Sequence, residues 1–64
     1  MSILDQIKLE MKLQHVSQFE MSERILTSQP VISSWFTGRK CPRYDNLINM
    51  ADALNCDIVL VRRS

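Results

Sequence analysis

Two helix-start signals lying close together constrain this chain more than any other feature. Ser17-Gln18-Phe19-Glu20 has the form of a capping box. The Ser17 hydroxyl can accept from the amide of residue 20, and the Glu20 carboxylate can reach back to the amide of Ser17. Met21 and Ile25 follow at i, i+4, which predicts a short helix over 18–25. Ser28 is a second favourable N-cap. Pro30 sits in the first turn after it, where its missing N–H would have no intrahelical partner. Ile32 and Trp35 give the second helix an inward stripe, and Gly38 supplies a left-handed stop after Phe36-Thr37, so it spans 29–36. Only Leu26-Thr27-Ser28 joins the two. So short a joint makes them a compact helical pair.

Helical periodicity continues on both sides of this pair. Ile3, Leu4, Ile7 and Met11 recur at helical spacing, with Asp5, Gln6, Lys8, Glu10 and Lys12 between them. Leu9 and Leu13 widen that stripe, and the helix covers Ile3 to Leu13. From Tyr44 the pattern resumes with Leu47, Met50, Ala51 and Leu54, and Asp45 complements the helix dipole in the first turn. This helix ends near Leu54-Asn55, where Asn55 tolerates a left-handed cap. Between the last two helices lies a basic loop, Arg39-Lys40-Cys41-Pro42-Arg43. The tail Asp57-Ile58-Val59-Leu60-Val61-Arg62 is β-branched and apolar and reads as a strand, 57–62. The expected fold is mostly α: a compact four- to five-helix domain with a C-terminal β-strand, residues 1–64 forming one domain.

Several function classes are excluded on size and chemistry. A chain of 64 residues buries a small core and has little room for an enclosed pocket. There is no plausible general-base pair, nucleophile triad or phosphate loop, so no enzyme is expected. Cys41 and Cys56 have no second pair and no secretory leader accompanies them, which reads as free thiols. His15 is the single histidine and no ligand spacing repeats, so neither a metal nor another cofactor is expected. No segment approaches a membrane span, and a soluble, cytoplasmic protein is expected. Net charge is only +1, but its distribution is uneven. No acidic residue stands between Glu23 and Asp45, while Arg24, Arg39, Lys40 and Arg43 fall in that stretch. A local cationic face on a near-neutral chain is the footprint of a phosphate-binding surface.

Residues 17–56 carry a resemblance in one unbroken register. Ser-Gln-x-Glu-Met-Ser-Glu-Arg-Ile, Val-Ile-Ser-Ser-Trp, Gly-Arg-Lys-x-Pro and Leu-Ile-Asn-Met-Ala-Asp-Ala-Leu follow in order, with the Trp35–Gly38–Pro42 spacing. Together they resemble the lambda-repressor/Cro-like (XRE-type) helix-turn-helix family, with the helix-turn-helix at 18–36. The resemblance implies a sequence-specific regulator that binds double-stranded DNA. It implies that helix 18–25 crosses the phosphate backbone and that helix 29–36 enters the major groove. With Ile32 and Trp35 inward, Ser28, Gln29, Val31, Ser33 and Ser34 face the bases. Gln29 can bind adenine in bidentate fashion, Ser33 and Ser34 can donate or accept, and Val31 can touch a thymine methyl. Gln29 and Ser34 are the main expected readers. Gln18 matches a phosphate-contacting position of the family, and Arg39, Lys40 and Arg43 supply sequence-independent attraction.

The chain departs from the family pattern at several positions. Leu26 stands where the joint normally carries glycine, Thr27 where an apolar residue is usual, and Ser22 where alanine is typical. Pro30 removes a backbone donor from the recognition helix. Phe19 and Phe36 occupy positions that are often acidic, and both are expected to be exposed.

Strand 57–62 needs a partner for its backbone groups. A symmetric homodimer would pair two such strands antiparallel, with Ile58 and Leu60, or Val59 and Val61, packed inward. That arrangement sets two recognition helices about 34 Å apart to read an inverted-repeat operator. The implied role is a Cro/repressor-type protein of a phage or mobile element. The alternative is an antitoxin-like module that binds DNA while gripping a protein partner.

Overall fold

Each described helix starts from an extended residue and stops on a left-handed one. The computed structural model describes residues 2–58. Within them the elements are α1 (Ile3–Leu13), α2 (Gln18–Arg24), α3 (Gln29–Phe36) and α4 (Tyr44–Ala53). The positions expected for the C-terminal strand lie mostly outside the described residues, Val59, Leu60 and Val61 among them. Asp57 and Ile58 are described and have no regular secondary structure, and no strand occurs among the described residues.

The starts are set by local chemistry. Ser2 accepts from the Asp5 amide at 3.1 Å and its own amide donates to the Asp5 carboxylate at 3.4 Å, a full capping box. At α2 only half of the expected box forms. Ser17 accepts from the Glu20 amide at 3.1 Å, while the Glu20 carboxylate lies 3.7 Å from Arg24 instead of returning to Ser17. Ser28 has the extended backbone of an N-cap but makes no capping hydrogen bond, a correction to the expectation. Pro30 explains part of this, since it removes one of the two amides such a cap would serve.

The stops are equally regular. His15, Leu26 and Asn55 have φ of 58, 56 and 59° and Gly38 has φ 83°. After α1, α2 and α4 the next amide returns to the last turn: Val16 to Met11, Thr27 to Ser22 and Cys56 to Ala51, at 2.8 to 2.9 Å. These are Schellman closures. Ile25 is thus the C-cap of α2 rather than its last helical residue.

The core collects one face of every helix. Ile7 and Met11, Met21, Ile32 and Trp35, and Met50, Ala51 and Leu54 are buried, with Val16 between α1 and α2. Leu9 and Leu13, expected to widen the stripe of α1, instead face solvent. α1 packs mainly against α4, so one narrow seam through Ile7 and Met11 is covered and the flanks of the helix stay in solvent. Ser22 is buried too, and its hydroxyl donates to the Phe19 carbonyl at 2.6 Å. Side chains also tie helix ends across the fold. Lys8 Nζ donates to the Phe36 carbonyl at 2.9 Å, Gln14 to the Leu54 carbonyl and Arg24 to the Ala53 carbonyl, both at 2.8 Å. Each meets a carbonyl that its helix leaves unpaired.

Candidate nucleic-acid interface

Helix α3 is held from behind and open in front. Ile32 is fully buried and Trp35 nearly so, which fixes the rotation of the helix about its axis. With that rotation Ser28, Gln29 and Val31 are exposed, and Ser33 and Ser34 are half-buried at the edges. The first turn therefore offers a hydroxyl, an amide and a branched apolar side chain on one surface. Among the described residues, neither the Gln29 amide nor the Ser28 or Ser33 hydroxyl has a side-chain hydrogen-bond partner. Ser34 differs from expectation. Its hydroxyl donates to the Val31 carbonyl of the same helix, so its proton is already placed.

The basic loop is attached to this surface through the backbone. Gly38 turns the chain, and the Lys40 amide then donates to the Ser34 carbonyl at 3.1 Å. That bond sets Arg39 and Lys40 beside the end of α3, both exposed. Pro30, Ser33, Ser34, Thr37 and Arg39 line one shallow depression along the helix. Thr37 was not anticipated as part of it, although its spacing of i+3 from Ser34 would have allowed the inference. Arg43 is exposed at the N-cap of α4.

Two expected members sit elsewhere. Gln18 is half-buried and lines a separate depression with Lys8, Lys12 and Phe36. Arg24 belongs to the sequence stretch free of acids, yet it is engaged by Glu20 and by the Ala53 carbonyl. Of the cations in that stretch, Arg39, Lys40 and Arg43 are exposed and make no salt bridge among the described residues. Of the aromatics, Phe19 is 56% exposed as expected, but Phe36 is half-buried. The Lys8 ammonium lies 5.3 Å from the Phe36 ring centroid, covering it from α1.

A helix-turn-helix family model matches residues 7–61, which include all of α2, α3 and α4. The chain belongs to the XRE-type helix-turn-helix family. No curated protein and no solved structure matches it. Membership in this family makes the chain a sequence-specific DNA-binding regulator. In this helix-turn-helix the joint accommodates leucine where glycine is usual, because Leu26 takes the left-handed conformation with its side chain 92% exposed. Among the described residues no cluster of His, Cys, Asp and Glu is arranged to hold a metal ion. No described helix is long and apolar enough to cross a membrane.

Proposed function

We propose that residues 1–64 act as one Cro/repressor-type domain that lays α3 in the major groove of an operator in the cytoplasm. The observation that carries this is the two-sidedness of α3. Ile32 and Trp35 are locked in the core while Gln29 and Val31 of the same helix face outward. The major groove is about 12 Å wide and takes a helix in this way, N-terminal residues first. Arg39, Lys40 and Arg43 draw the protein to the phosphates without regard to sequence. Gln18, at the start of α2, contacts a phosphate and sets the register. Ser28, Gln29, Val31, Ser33 and Ser34 then read base edges, Gln29 foremost.

The operator is an inverted repeat read by a homodimer. Support comes from the tail: Ile58, Val59, Leu60 and Val61 form an apolar run at the end of a helical domain. Sedimentation of the full chain beside Ile58→Asp/Leu60→Asp and Val59→Asp/Val61→Asp variants tests this. A monomeric variant supports tail pairing, and dimers throughout refute it.

Fluorescence anisotropy with labelled duplexes tests the reading itself. Gln29→Ala weakens the preferred duplex by about 1–3 kcal/mol and leaves random duplexes unchanged. Unchanged affinity for the preferred duplex removes Gln29 as a reader. A second role, gripping a protein partner as antitoxins do, is favoured by Leu13 and Phe19, which are 66% and 56% exposed. A toxin that co-purifies with the protein identifies that role.

A further inference from the structure

We infer that the base pairs beneath α3 are A·T rather than G·C, because α3 is matched to adenine and thymine and carries little for guanine. This rests on the DNA reading proposed above. From Ile25 to Gly38 the chain has no charged side chain. The helix therefore has no arginine or lysine to grip guanine O6 and N7, and no carboxylate to accept from cytosine N4. Its one long polar side chain is Gln29, exposed and unpartnered among the described residues, with the donor and acceptor that adenine N6 and N7 require.

The hydroxyls narrow the choice further. Ser34 donates to the Val31 carbonyl and Thr37 to the Ser33 carbonyl, the latter at 2.9 Å. With those protons spent inside the helix, both oxygens are left as acceptors, Thr37 exposed and Ser34 half-buried beside it. The guanine edge offers only acceptors in the major groove and meets them unfavourably, whereas adenine N6 can donate to them. Cytosine N4 can donate as well, but its guanine partner is left unmatched. Exposed Pro30 and Val31 then present apolar surface, which favours the thymine methyl that cytosine lacks. Arg39 closes the depression at its C-terminal end. Arg39 is the one charged donor lining that depression, so a guanine is best accommodated at that edge.

Selection of the full chain on a randomised duplex library at stated salt tests the inference. The expected product has A·T pairs at the positions under α3, and replacing them with G·C lowers affinity roughly 5- to 100-fold. Replacing the thymines there with uracil weakens wild type about fourfold, the worth of one buried methyl. The Val31→Ala variant loses less than wild type on that replacement, since alanine and Pro30 keep only part of the apolar contact. Selected G·C pairs or an even mixture at those positions overturns the A·T assignment while leaving DNA binding intact. Retention of no duplex at low ionic strength overturns both this assignment and the reading beneath it.

Discussion

Replacing Leu26 by glycine should stabilise the domain. Leu26 has φ 56° and is 92% exposed, so its side chain buries almost nothing that the substitution would lose. An L-residue in the left-handed region pays roughly 1–2 kcal/mol, which glycine avoids. Glycine also gives the unfolded chain more freedom, which returns about 0.4–1 kcal/mol. The net gain is about 0.5–1 kcal/mol, and in a domain of this size it raises Tm by about 2–8 °C. The Thr27 amide still donates to the Ser22 carbonyl, now 2.9 Å away, because that bond involves backbone alone. Thermal and urea unfolding followed by far-UV circular dichroism, at one protein concentration, reads the change. Asn55→Gly is the control, since asparagine already tolerates its φ of 59° and gains less. A lowered Tm for Leu26→Gly would refute the reasoning and show that the leucine makes a stabilising contact, with a second subunit for instance.

Other substitutions separate folding from binding. Met21→Ala empties a fully buried site and costs about 2–5 kcal/mol, visible as a lower urea midpoint. Lys8→Met removes the donation to the Phe36 carbonyl and the ammonium over its ring, destabilising by about 0.5–1.5 kcal/mol without altering the salt dependence of DNA binding. Lys40→Ala weakens all duplexes alike and lowers the slope of log K against log salt by roughly 0.9, the value for one phosphate contact. Its backbone bond to Ser34 survives the change, so a loss confined to one sequence would contradict the role given to its charge.

Much of the fold was legible because the signals were local. The spacing of Met21, Ile32, Trp35, Met50 and Leu54 marks the buried seam, and Gly38 and Asn55 mark helix ends by their tolerance of positive φ. The family resemblance adds the order in which these pieces pack. What escaped the sequence depends on partners far along the chain or on small differences in hydroxyl orientation. Phe36 is covered by Lys8 from another helix, and Arg24 is drawn to the end of α4. Neither contact leaves a periodic trace. Leu9 and Leu13 satisfy a helical spacing but fall outside the narrow seam of α1. At the interface, residue type gave the outward set, while the use of each hydroxyl required coordinates. Ser28 leaves its cap unmade and Ser34 turns its proton inward. Each choice is worth about the energy of one hydrogen bond, too little for a sequence pattern to encode.

Amide chemical-shift mapping during titration with a duplex at low ionic strength reaches the core of the account. The outward positions of α3, Gln29, Val31 and Ser34 above all, should shift first together with Arg39 and Lys40, while Ile7 and Met11 stay still. If the perturbed amides cluster instead around Leu9, Leu13 and Phe19, with α3 silent, then DNA meets another face of the molecule and α3 is not the reading helix.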